Sequence, residues 1–180
     1  LTANCIAADN TQEMLSQDAV IHKDGSMTVR EAILAGGRYK TVARHILFDK
    51  NRYPFKGTYS SFSGETDIYN SEIPEFIRIF DVPQKEFTSL ESIGAIQNEY
   101  KHDYKAEEGD YGVYTCNDFG YCNVYCPSRY NNVICIEYEL RNAVVVHNDC
   151  AELCWCFYEN EETEPLRDYK LTVHLPQADP

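Results

Sequence analysis

The chain has 180 residues, a net charge of −13, 43% hydrophobic and 13% aromatic residues. That is enough to bury a core and too much for a disordered tail, while the lack of clustered Lys and Arg argues against nucleic acid and anionic lipid as partners. No run approaches the ~20 apolar residues that cross a bilayer; the longest are strand-length, such as Ala143-Val144-Val145-Val146.

In chain order, residues 1–17 read as a flexible N-terminal segment, small and polar at first apart from whatever tethers Cys5. The start is neither basic nor followed by a long apolar run, so any secretory leader is expected to have been removed. From Asp18 a hairpin is predicted: Ala19 and Ile21 lead into Lys23-Asp24-Gly25-Ser26, and Met27, Val29 and Ile33 return on alternate positions. A strand follows over Thr41–Phe48, then a long irregular excursion over Asp49–Ser71 rich in Gly, Ser and Tyr. Phe76–Val82 reads as a short strand between Pro74 and Pro83. Phe87, Leu90, Ile93 and Ile96 approximate a 3.6-residue period and predict a short helix over Gln84–Tyr100, weakened by Gly94. Lys101–Asp110 reads as a solvated connector, and 112–129 as a Cys/Tyr-rich loop.

The last third alternates clearly. Ile134, Ile136, Tyr138 and Leu140 oppose Cys135, Glu137, Glu139 and Arg141, giving one dry and one wet face. Leu153, Trp155 and Phe157 alternate with Cys154, Cys156 and Tyr158, and Tyr169, Leu171, Val173 and Leu175 with their polar neighbours, up to Pro176. Trp155 falls on the dry side and is expected in the core. Three such segments predict an antiparallel sheet rather than alternating strands and helices.

Three segments taken together resemble a known family: the stretch from Asp18 through Asp24-Gly25-Ser26 to Glu31, the stretch from Tyr138-Glu139-Leu140 through Asp149, Glu152, Leu153 and Trp155, and Tyr169 through Leu175-Pro176. In order and spacing they are similar to the N-terminal ectodomain of YciQ-like predicted bacterial membrane proteins, the domain of unknown function 2207. The resemblance covers both ends of the chain and leaves roughly Asp49–Arg129 unmatched. Thr41-Val42-Ala43-Arg44 stands at the place of a family strand of the Gly-Ile-Tyr-Arg type, without a clear match to it. The resemblance implies an extracytoplasmic, β-rich domain followed by membrane-spanning helices outside this chain; it carries no catalytic residues, and the cysteines are not part of the family pattern.

Eight cysteines, seven of them between Cys116 and Cys156, are the strongest compositional feature. In an oxidising compartment such clustering means disulfides, and in the cytosol metal ligands or redox thiols. Strand alternation puts Cys135, Cys154 and Cys156 on the wet face, where a folded-over Cys116–Cys126 segment would be stapled, so that Cys116, Cys122 and Cys126 pair with Cys135, Cys154 and Cys156, and Cys150 with Cys5. Roughly 105 connectivities exist for eight cysteines, so single pairs stay open. Cys122-x₃-Cys126 and Cys150-x₃-Cys154 leave zinc as the alternative, with His147 the nearby imidazole. A Cys–His catalytic pair would have to use His147 or His174.

Tyr111, Tyr114, Phe119, Tyr121, Tyr125 and Tyr130 surround the cysteines. Exposed on a braced loop they would form a recognition surface; turned inward they would cap the edge of the core. Asp24, Asp103 and Asp110 read as turn formers.

The expected fold is all-β: an antiparallel β-sandwich of immunoglobulin-like layout over residues 18–180, with a short helix and a Cys-rich excursion. The expected role is non-enzymatic binding or structure on the extracytoplasmic side of a membrane, tethered by segments outside the chain, without cofactor or metal, toward an unknown protein or envelope component. The alternative is an extracytoplasmic enzyme acting on glycans through carboxylates of the Asp49–Ser71 or Lys101–Asp110 loops. An intact-mass and thiol count under denaturing conditions is expected to show few free thiols, a gain of about 2 Da per reduced bridge and no zinc; mostly free thiols with stoichiometric zinc would mean a metal-binding module instead.

Overall fold

The computed structural model describes residues 11–36, 41–46, 74–117, 121–126, 131–146, 150–153, 155, 157–158 and 168–177. The first hairpin is as the alternation requires. Strand β1 (Thr11–Ile21) and strand β2 (Met27–Gly36) pair antiparallel, with an irregularity between Met14 and Ser16. Between them Asp24 Oδ1 accepts hydrogen bonds from the Ser26 amide at 3.0 Å and the Ser26 hydroxyl at 2.8 Å. The Ser26 amide in particular holds the Asp24 carboxyl below its ordinary value. Gly25 takes φ +84°, and its amide reaches back to the His22 carbonyl at 3.1 Å. A side chain is disfavoured at that φ because Cβ crowds the following carbonyl.

Ten further strands complete the described chain: β3 (Thr41–His45), β4 (Glu75–Pro83), β5 (Asn98–Glu99), β6 (Lys101–His102), β7 (Val113–Cys116), β8 (Tyr121–Tyr125), β9 (Asn132–Leu140), β10 (Val144–Val146), β11 (Ala151–Leu153) and β12 (Lys170–His174). They form a six-stranded sheet in the order β12-β1-β2-β9-β4-β5, a four-stranded sheet β3-β8-β7-β6, and the small pair β10-β11. The two larger sheets face each other across one core, in which Met27, Val29, Ile33, Ile136 and Tyr138 of the first meet Val42, Tyr114, Cys122 and Val124 of the second. The fold is therefore all-β, as the alternating patterns demand. No helix among the described residues is long and apolar enough to cross a membrane.

Several expectations are corrected. First, the folded body begins earlier than residue 18, since Thr11 already pairs with Gly36. Second, the sheets are mixed rather than purely antiparallel: β12 runs parallel to β1, with Ala19 beside Val173, and β6 runs parallel to β7. Leu171 and Val173 lie along this edge strand and are exposed, although the alternation put them on a dry face. Third, Gln84–Tyr100 is not a helix. Only Gln84–Glu86 make a 3-10 turn, and the chain then runs irregularly to β5. Gly94 lies so close to the Glu86 carbonyl that an added Cβ would sit 2.6 Å from its oxygen.

The fourth correction follows from the third. Phe87, Leu90 and Ile93 form an apolar lid on the outer face of the six-stranded sheet, against Ala32, Phe80, Val82, Val133 and Cys135. Cys135 is consequently 2% exposed, not on a wet face. The central strand β9 thus has both faces covered over most of its length, which period-two alternation alone does not reveal. The segment 112–129, expected to be a loop, contains the β7–β8 hairpin.

Replacing Gly25 by Ala is expected to cost about 1–2 kcal/mol, the left-handed backbone penalty for an L residue, increased by the approach of the new Cβ to the Val144 carbonyl oxygen at 3.2 Å. A lowered urea midpoint at unchanged slope would show it; an unchanged midpoint would contradict this account of the turn.

Candidate functional site

The four-stranded sheet and its 103–112 connection carry Tyr111, Tyr114, Tyr121 and Tyr125 of the residues that the sequence marks for recognition. β6, at its edge, is joined to the parallel β7 by residues 103–112, which the backbone holds in place: the Lys101 amide donates to Gly112 O at 3.0 Å, Asp103 N to Tyr114 O at 2.8 Å and Gly112 N to Tyr125 O at 3.1 Å. Asp103 Oδ1 accepts the Lys105 amide at 2.9 Å, and Asp110 Oδ2 the Glu107 amide at 3.0 Å. Both carboxylates therefore act as turn formers, as does Asp24.

The tyrosines divide. Tyr114 and Tyr125 are buried; Tyr114 packs 6.4 Å from the Phe76 ring and 5.1 Å from the His102 ring, centroid to centroid. These two cap the core. Tyr111 and Tyr121 are 51% and 47% exposed, and Tyr104, which the sequence reading did not single out, is 76% exposed with Lys105 Nζ 5.5 Å from its ring centroid. Phe119 and Tyr130 lie outside the described residues, as does the Asp49–Ser71 stretch. Tyr121 therefore stands on a strand whose residues Cys122, Val124 and Tyr125 are buried, whereas Tyr104 and Tyr111 stand on the mostly exposed 103–112 connection.

Among the cysteines, Cys116 and Cys122 oppose each other across β7 and β8. Cys126 is buried against Val124 O, with its thiol pushed up to about 11, chiefly by burial. Cys135 is pushed up to about 12 by burial and by the nearby Asp81. It lies on the opposite face of the six-stranded sheet from Cys122, so the expected stapling of the Cys116–Cys126 segment to Cys135 does not fit the layering. Cys150 is exposed, and Cys5, Cys154 and Cys156 lie outside the described residues. No group of three or more His, Cys, Asp or Glu side chains is gathered for a metal among the described residues. His147 is outside them, and His174 Nε2 sits 2.7 Å from Asp18 Oδ1, joining β12 to β1. Trp155 is only partly buried, packed against the main core.

Sequence reasoning missed the most polar feature of the interior. Glu31, fully buried, meets Arg44, 7% exposed, in a two-pronged ion pair: Nε to Oε2 at 2.6 Å and Nη2 to Oε1 at 2.8 Å. Oε1 also accepts from Gln17 Nε2 at 2.5 Å and from the Tyr138 hydroxyl at 2.8 Å. Gln17 Nε2 and Arg44 Nη2 both donate to the Phe157 carbonyl, at 2.7 and 2.9 Å, and the Tyr169 hydroxyl donates to Gln17 Oε1. Burial pushes the guanidinium toward its neutral form, but the Glu31 carboxylate and its hydrogen bonds outweigh that and raise the Arg44 pKa. Burial and the same carboxylate raise the Tyr138 phenol far above its usual range, so it remains a donor. The signal was present in the sequence. Glu31 occupies the same parity as Met27, Val29 and Ile33, and Arg44 the parity of Val42 and Ile46, so opposite charges stand at inward positions of two strands.

A model of the family described as predicted membrane protein (DUF2207), N-terminal domain, matches residues 13–180. No curated protein and no solved structure matches the chain significantly.

Glu31→Leu and Arg44→Met, made singly, are each expected to lose about 3–5 kcal/mol of stability, because each leaves a buried partner uncompensated. The double variant Glu31→Leu/Arg44→Met should recover most of that loss. Chemical denaturation of the three variants measures the coupling; additive losses would show that the two charges do not act as a pair.

Proposed function

The chain belongs to the DUF2207 family, the N-terminal domain of predicted membrane proteins, and from that premise we propose that it is a non-enzymatic, extracytoplasmic binding or structural domain, tethered to the membrane by segments outside this chain. The observation that carries the reading is the arrangement of Tyr104, Tyr111 and Tyr121, exposed on a loop and hairpin whose neighbours Tyr114, Cys122, Val124 and Tyr125 are buried. Tyrosine combines a large apolar ring with a hydrogen-bonding tip and loses little rotational freedom on contact. Carried on a hairpin strand and on a connection tied to it by backbone hydrogen bonds, three such rings offer contact area at low entropic cost. The match of the family model to nearly the whole described body supports treating this sheet pair as the module that such a membrane protein presents.

The charge around the rings selects the partner's chemistry. Asp103, Glu107, Glu108 and Asp110 are exposed beside Lys101 and Lys105, and the chain as a whole carries −13. A protein or envelope component with a basic or hydroxyl-rich surface complements this rim, and nucleic acid or anionic lipid does not. Asp103 and Asp110 already bind backbone amides of their own turns, which favours recognition over carboxylate catalysis in this loop.

Two measurements test the reading. In cells making the full membrane protein, a membrane-impermeant amine reagent is expected to label Lys101 and Lys105 without disruption of the membrane; labelling only after lysis would overturn the outward placement. The purified protein is expected to bind isolated envelope material saturably, and the triple variant Tyr104→Ala/Tyr111→Ala/Tyr121→Ala to bind it at least about tenfold more weakly, as loss of central aromatic contacts requires. Equal binding by the triple variant would remove these tyrosines from the interface.

A further inference from the structure

The β7–β8 hairpin sets two thiols against each other. Cys116 and Cys122 are register partners, and their Sγ atoms lie 2.8 Å apart. Unbonded carbon atoms already settle at about 3.5–4.0 Å, and sulfur is larger, so this is too close for two thiols merely in contact. The backbone places them there. The next pair outward is hydrogen-bonded, with Asn117 N donating to Tyr121 O at 3.0 Å and Tyr121 N to Asn117 Oδ1 at 3.1 Å. Hydrogen-bonded and non-hydrogen-bonded pairs alternate along an antiparallel ladder, which makes Cys116 and Cys122 a non-hydrogen-bonded pair. Such pairs bring their Cα atoms to roughly 4.5 Å, inside the window that a disulfide spans. Of the other cysteines, Cys126 is directed to Val124 O and Tyr100, and Cys135 lies beyond the six-stranded sheet.

We propose that Cys116 and Cys122 form a reversible dithiol/disulfide site, a two-electron clasp across the hairpin that carries Tyr121. The oxidant is a disulfide, either a small-molecule disulfide RS–SR or a thiol–disulfide oxidoreductase. Half-buried Cys116 is the sulfur that an outside reagent reaches, whereas Cys122 is buried, and the adjoining Cys116 thiol together with burial raises its pKa well above the usual thiol range. The Cys116 thiolate attacks RS–SR, forming a mixed disulfide and releasing one RS⁻, which takes up the proton that Cys116 lost. Cys122 then attacks Cys116 Sγ, closes the intramolecular bond and expels the second RS⁻, which takes up the Cys122 proton. In sum, two cysteine thiols and RS–SR give one cystine and two RSH, with two electrons and two protons passing to the oxidant. The bond braces the end of the hairpin next to the exposed Tyr121; its effect on binding rests on the recognition role proposed above, whereas the bond itself does not.

The test uses the whole chain, reduced and then equilibrated with mixtures of reduced and oxidised glutathione, quenched with N-ethylmaleimide in denaturant and digested with trypsin. Cleavage after Lys105 and Arg129 gives one peptide, 106–129, that holds Cys116, Cys122 and Cys126. With rising oxidised glutathione it is expected to carry one maleimide in place of three, located on Cys126 by fragmentation, with its unalkylated mass about 2 Da lower for the two thiol hydrogens lost. The ratio of bridged to open peptide should change tenfold for each tenfold change in oxidised glutathione over the square of the reduced form. Three maleimides at every poise, persistent glutathione adducts, or bridges from Cys116 or Cys122 to any other cysteine would overturn the proposal. The same mapping on protein quenched inside intact cells separates the two ideas: a bridge that forms with glutathione but is absent in cells leaves the clasp standing and counts against outward placement.

Discussion

One ion pair joins the two halves of this molecule. Glu31 belongs to the six-stranded sheet and Arg44 to the four-stranded sheet, and they meet where neither has access to bulk water. Bringing two charges into such a site is costly by several kcal/mol per ion, and attraction offsets that only when geometry is good and the remaining donors and acceptors are satisfied. Both conditions hold. Glu31 uses both oxygens, and Gln17, Tyr138 and the Phe157 carbonyl complete the network. A purely apolar contact would tolerate a shift of one sheet over the other; a two-pronged guanidinium–carboxylate contact does not, because its hydrogen bonds are directional.

The same network reaches toward the end of the chain. Through Phe157, Tyr158 and Tyr169 it holds the segments on either side of the undescribed stretch 159–167, with Arg44 5.9 Å from the Tyr158 ring centroid and the Tyr158 and Tyr169 rings 6.2 Å apart. Tyr169 immediately precedes β12, which runs parallel to β1 along the sheet edge. The buried charges thus tie the first hairpin and strand β3 of the second sheet to the closing strand, which lies more than 100 residues further along the chain.

With one face of the six-stranded sheet under the second sheet and the other under Phe87, Leu90 and Ile93, the central strand β9 offers little to a partner. Contact chemistry is left to the rims, among them the β6–β7–β8 unit, whose turn carboxylates Asp103 and Asp110 are occupied by amides and whose Tyr104, Tyr111 and Tyr121 are exposed while Tyr114 and Tyr125 are buried. The Cys116–Cys122 pair closes the tip of that unit. Of the three exposed tyrosines only Tyr121 stands on this hairpin, so the proposed clasp and the proposed recognition surface meet there, on the backbone that carries Tyr121.

By itself the sequence determined the all-β class, the Asp24-Gly25-Ser26 turn, the dry faces of β2 and β9, and the family, because these depend on local parity, turn chemistry and residue order. It also marked the aromatic, cysteine-rich segment, though not that Tyr114 and Tyr125 turn inward while Tyr104 turns out. Tertiary structure decided the rest. Phe87, Leu90 and Ile93 have spacing that suits a helix face and equally a lid of irregular chain, and only the sheet beneath them selects the lid. Cys135 alternates as a wet residue and is dry because that lid covers it. The parallel pairing of β12 with β1 spans nearly the whole chain and leaves no local trace. Glu31 and Arg44 each stood at an inward position, but a lone charge there looks like a break in the pattern; its meaning depends on the opposite charge arriving from another sheet, which is a property of three-dimensional packing rather than of either strand.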